Sequence, residues 1–180
     1  MALFKNKYRI ESTRLKGWDY AAAGWYFVTI CTRGREHFFG QVVEADVQLT
    51  DTGDIASQYW YDIPKHFPSA DVDVFVVMPN HVHGIVVIKH SVETPHVASL
   101  PTGNKFGPLK PGSLSKIVQA YKAAVTRWCR QNNHPEFDWQ PRFYDHIVRD
   151  EKALKDIRQY IAANPAKWEL DRDKQENLWM

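Results

Sequence analysis

The chain has 180 residues, 44% hydrophobic and 24% charged, which suits one globular domain with a core of its own. A formal net charge of +2 does not announce a general nucleic-acid binder, so any such contact must be local. Two cysteines, Cys31 and Cys129, without CxxC spacing speak against a zinc ribbon or a disulfide scaffold and fit a reducing compartment. The start, "MALFKNKYRI", lacks a signal-peptide core, and no apolar run approaches the roughly 20 residues that cross a bilayer, so a cytoplasmic protein is expected.

The first 20 residues form a basic arm, with Lys5, Lys7, Arg9, Arg14 and Lys16 against Glu11 and Asp19. Such an arm is either a solvated surface or a set of phosphate contacts. "WYFVTIC" (25–31), rich in β-branched and aromatic residues, predicts a strand. Residues 37–50 predict a small extra hairpin. Thr50 or Asp51 then caps a helix running to about His66. "VDVFVVM" and "HVHGIVVI" predict two strands joined by a tight turn at "PN".

Residues 89–112, rich in Pro, Gly and Ser, predict a long loop, either functional or disordered. Ser113 caps a helix on which Leu114, Ile117, Val118, Tyr121, Val125 and Trp128 form one apolar stripe. Residues 139–148 contain a further strand. Asp150 and Glu151 open a last helix with Leu154, Ile157 and Ile161 as its buried stripe and Pro165 as its expected end. The order βαββαβ plus one helix predicts an α+β, ferredoxin-like antiparallel sheet, with two helices on one face and the last helix covering the other. The chain is read as a single domain, 1–180.

His81 and His83 stand in an otherwise apolar strand, "VFVVMPNHVHGIVVI" (74–88). Alternation places both on one face, with Ile85 and Val87, while Val82, Val86 and Ile88 face the crossover helices. An imidazole buried without a partner costs about 1–3 kcal/mol, so the pair needs partners, and a shared metal serves both rings. The bland alternative is two hydrogen-bonded core histidines. A zinc hydrolase would want a third ligand, for which Asp145 and His146 are available. The last helix offers Tyr160 and Asn164, four apart and so on one face, with an amide oxygen as a plausible third donor.

"MPNHVHGIVVI", "WQPRFYDHIVRDE" and "IRQYIAANPAKW", with the earlier "RLKGWDYAAAGWYFVTICT", resemble the HUH-type single-tyrosine transposases, and more closely their REP-associated tyrosine transposase branch. The resemblance implies a bacterial, nucleoid-associated enzyme that cuts single-stranded DNA beside a REP-like hairpin and leaves a 5′-phosphotyrosine and a free 3′-hydroxyl. It implies that His81 and His83 bind Mg²⁺ or Mn²⁺, that Asn164 helps hold the ion, and that Tyr160 is the nucleophile. Tyr121 is a competing tyrosine, but it lies on an apolar stripe with Val125 four residues later. Arg9, Arg14, Lys16, Lys105, Lys110, Arg142 and Arg149 are candidate phosphate contacts, and Trp18 and Phe106 candidate stacking surfaces. A monomer or homodimer is expected. Two other readings stand beside this one: a domesticated hairpin binder without catalysis, and a small-nucleotide phosphoesterase. The second lacks a third histidine two positions after His83, where Ile85 stands.

Overall fold

A computed structural model describes residues 3–4, 7–8, 15, 17–89 and 110–171, with 3–4, 7–8 and 169–171 as backbone only. Strands β1 (Leu3–Phe4) and β2 (Lys7–Tyr8) pair with each other. The main chain of elements then runs β3 (Gly24–Cys31), a hairpin of β4 (Gly40–Val43) and β5 (Asp46–Leu49), α1 (Asp51–Tyr61), α2 (Ile63–His66), β6 (Ala70–Met78), β7 (His81–Ile88), α3 (Leu114–Gln131), β8 (Tyr144–Val148) and α4 (Glu151–Asp171). Four strands form one antiparallel sheet in the order β6-β7-β3-β8. This is the ferredoxin-like arrangement the element order predicted.

Local chemistry explains the boundaries. Thr50 caps α1 by accepting from the Gly53 amide, and Ser113 caps α3 by accepting from Lys116. The helix expected to run unbroken to His66 is split, because Pro64 starts α2 as its second residue and cannot continue α1. The β4–β5 hairpin turns through Glu44 and Ala45, both left-handed (φ 52° and 64°), the backbone of a type I′ turn.

One face of the sheet carries Tyr26, Val28, Ile30, Val82, Val86 and Ile88 against α1 and α3. Gly84 lies on this face because Trp60 occupies its side-chain space: a Cβ there would sit 2.4 Å from Trp60 Cζ2 and 2.8 Å from Phe75 Cβ. Gly84→Ala is therefore expected to cost about 1–3 kcal/mol by overpacking, read as a lower urea midpoint at unchanged m.

The opposite face carries Phe27, Ile85 and Val87, covered by Leu154, Ile157 and Ile161 of α4. Asp150 caps α4 by accepting from the Ala153 amide, and Arg158 ties it to β6 through Asp73 (2.7 Å) while stacking on Trp25 (5.4 Å). The expected end at Pro165 is corrected. The helix runs through the proline to Asp171. Proline removes one backbone donor there, but Trp168, one turn later, packs its ring on His37 and His81 and holds the last turn in place. Among the described residues no helix is long and apolar enough to cross a membrane.

Candidate functional site

The site is built from the inner end of β7 and the face of α4 that covers it. His81 and His83 are 1% and 2% exposed, and their rings lie 4.3 Å apart, centre to centre. Each is oriented through Nδ1. Asn80 Oδ1 is 2.7 Å from His81 Nδ1, and the Asn80 amide is itself oriented by donating to the Arg35 carbonyl. His81 therefore donates from Nδ1, and its Nε2 carries a bare lone pair. Thr29, directly opposite His83 in the β3–β7 register, lies 2.8 Å from His83 Nδ1. When His83 donates to Thr29, its Nε2 accepts from the Tyr160 hydroxyl at 3.3 Å.

Burial sets the charge state of both rings. It pushes the His83 imidazole down to about 3, and it holds His81 well below the usual histidine range, aided by His83 and Arg35 nearby. Both are neutral at physiological pH. His81 Nε2 is buried without a hydrogen-bond partner. A neutral, oriented nitrogen left unpaired in a protein interior is an energetic liability on its own and a ready ligand for a cation.

The α4 face completes the arrangement. Tyr160 packs on His83 (5.3 Å between rings) and edge-on to Phe27 (6.1 Å, 85°), and Trp168 packs on His81 (5.8 Å). Asn164 is midway between these two residues on one helical face, 9% exposed. Tyr160 and Trp168 thus flank the histidine pair, one against each ring. Among the described residues no three His, Cys, Asp or Glu side chains gather as a metal site, so a third protein donor here has to be of another kind, such as an amide oxygen. Asp145 is buried opposite Val28, on the other side of the sheet, and His146 is exposed on the edge strand opposite Phe27. Two imidazoles with an amide oxygen fit a divalent cation.

Tyr121 is elsewhere. It is 3% exposed between Trp60 and Trp139, donates to the Ala56 carbonyl at 3.0 Å, and is pushed far above the ordinary tyrosine range by burial. The whole sheet separates it from the histidines.

A Haemophilus influenzae protein of uncharacterized function is 40% identical over 164 residues, covering 90% of this chain and 91% of its own. A second protein of that organism, provisionally named a REP-associated tyrosine transposase, is 23% identical over 83% of this chain and 74% of its own. A solved structure of a REP-associated tyrosine transposase bound to a REP hairpin matches with a TM-score of 0.58 at 22% identity, over 88% of this chain and 74% of that one. The chain thus shares its fold with a REP-associated tyrosine transposase and has a distant sequence similarity to a protein of that name. No protein-family model matches it.

The candidate DNA contacts are scattered. Arg9, Arg14, Lys16, Lys105 and Phe106 lie outside the described residues. Lys110 is paired with Asp19 at 2.8 Å, which also holds the Asp19 carboxyl below its ordinary range. Trp18 is 40% exposed and donates to the Tyr26 hydroxyl at 3.2 Å. Arg142 and Arg149 are exposed at either end of β8. Sequence reasoning missed Thr29, Asn80 and Trp168. Asn80 adjoins His81, and Trp168 continues the four-residue spacing of Tyr160 and Asn164. Thr29 had no sequence signal, since only strand register brings it to His83.

Proposed function

We propose that this transposase-like chain is a single-stranded DNA endonuclease and strand transferase acting beside a hairpin, with Tyr160 as its nucleophile. The observation that carries the reading is the Tyr160 hydroxyl at 3.3 Å from His83 Nε2, next to the bare Nε2 of His81. A binding module has no use for a reactive hydroxyl set against two neutral, oriented imidazoles.

His81 and His83 would hold Mg²⁺ or Mn²⁺ through their Nε2 atoms, with the Asn164 amide oxygen as third protein donor. Bound there, the cation supplies Lewis-acid stabilisation for charge gathering on the scissile phosphate. The protein's own contribution is placement. Asn80 and Thr29 hold the two rings in the ligating tautomer, and the Phe27 edge and His83 ring hold the tyrosine. Tyr160 Oη attacks phosphorus, the P–O3′ bond breaks, and a 5′-phosphotyrosine forms. The tyrosine loses a proton and the departing 3′-oxygen gains one. The tyrosyl phosphodiester keeps the bond energy, so a 3′-hydroxyl can later attack it and reseal DNA. The partner in this reading is a REP-like hairpin with a single-stranded flank; the similar solved transposase is bound to a REP hairpin.

The test is a covalent-adduct assay with a pool of labelled hairpin oligonucleotides, run on a denaturing gel with Mn²⁺ or with EDTA. An adduct that forms with Mn²⁺ and vanishes in EDTA is expected. Tight hairpin binding without any adduct would instead identify a non-catalytic hairpin binder.

A further inference from the structure

Helix α3 lies on the sheet face opposite the histidines, and its 18 residues include Lys116, Lys122, Arg127 and Arg130 but no acidic residue. The helical period places Lys116, Ala123, Arg127 and Arg130 along the centre of its outer face, and all four are exposed. That face spans about 20 Å from Lys116 to Arg130 at 1.5 Å per residue. Ala123 leaves space between the cations. Beside it, the segment leading into β8 forms the other wall of an open groove of about 640 Å³, lined by Lys122, Arg127, Arg130, Asp138, Trp139 and Gln140.

The groove is cationic and its one acid is already engaged. Asp138 is paired with Arg33. Lys122 is fixed by donating to the Gln140 and Arg142 carbonyls (2.7 and 3.1 Å), so its ammonium is held at the groove wall. Trp139 braces that wall by donating to the Lys122 carbonyl. Position along the sheet matters too. Gln140 bonds to Cys31, and Cys31 is the register partner of His81, so the groove opens at the end of the sheet where the histidine strand begins.

We infer that this groove is a second DNA-binding surface, holding the phosphate backbone of a hairpin stem or flank that passes round the end of the sheet from the tyrosine site. A linear row of cations suits a linear polyanion better than a lone phosphate, and fixed carbonyl-anchored charge suits backbone positioning without base readout. That the polyanion is DNA rests on the function proposed above.

The experiment compares wild-type protein, R127E/R130E, and K65E/K89E, which makes the same change in net charge at the far end of the sheet. Each is titrated with a labelled long-stemmed hairpin across a salt series, and each is assayed for adduct formation on a short single strand. R127E/R130E is expected to lose at least about tenfold in hairpin affinity, with a salt slope smaller by about 2. Its adduct yield on the short strand and its melting temperature should match wild type. K65E/K89E should bind as wild type does. Unchanged affinity and slope in R127E/R130E, or an equal loss in K65E/K89E, overturns the surface. If wild type forms no adduct yet binds hairpins through the groove, the surface stands and only the Tyr160 chemistry fails.

Discussion

Tyr160→Phe is expected to abolish the covalent protein–DNA product while leaving the melting temperature within a degree or two, and Tyr121→Phe to do the reverse. The Tyr160 ring is 36% exposed and rests on His83 and the edge of Phe27, contacts that phenylalanine keeps. Its hydroxyl reaches His83 at 3.3 Å, a long bond with little stability to lose. Removing that oxygen removes the attacking atom, so adduct yield should fall to background. The Tyr121 hydroxyl is buried on the Ala56 carbonyl, and its loss should cost about 1 kcal/mol, or roughly 2–4 °C in a domain of this size. Adduct lost with Tyr121→Phe and kept with Tyr160→Phe would overturn the assignment of the nucleophile.

The second large effect is acid lability. His83 has a folded-state pKa of about 3 and His81 is shifted the same way, both below the 6.5 of an exposed imidazole. A depressed pKa means that the unfolded chain binds more protons between those limits. The stability from burying neutral rings is thus fully present above pH 6.5 and drains away as pH falls toward 3. Each ring sets a slope of up to about 1.4 kcal/mol per pH unit in that window. Urea titrations in EDTA at pH 7.5, 6 and 5 should show the midpoint falling steadily, and His83→Gln should roughly halve the slope. The paired carboxylates of Asp19 and Asp71 are depressed too, but they act only near and below pH 4. A midpoint flat from pH 7.5 to 5 would show that the rings are solvated or paired in a way the fold does not suggest.

Much of this site is legible in the sequence, because it depends on local periods. Two-residue alternation put His81 and His83 on the face away from Val82 and Val86, and four-residue spacing put Tyr160 and Asn164 on one helical face; both hold. Periodicity failed where a distant contact overrides a local rule. Pro165 carries a strong stop signal, yet the helix continues, because its next turn has Trp168 to dock on His37 and His81. The groove on α3 was equally hidden. Its basic residues lie on one helix, but its opposite wall comes from residues 138–141, which the helical period of α3 does not reach. Thr29 lies 54 positions from His83 and becomes its neighbour only through strand register.

The two halves of the site are held by different kinds of bond. β7 is an interior strand, hydrogen-bonded along both edges to β6 and β3, so its amides should exchange with solvent only when the whole sheet opens. α4 adheres by side chains alone, through the Leu154, Ile157 and Ile161 stripe and the Arg158–Asp73 pair, and can lift in a smaller fluctuation. The histidines are thus anchored in the slowest-opening part of the molecule and the tyrosine in a more loosely attached one. In the function proposed above, a phosphotyrosine-linked strand riding on α4 would be able to swing toward a new 3′ end while the sheet beneath stays folded and in register.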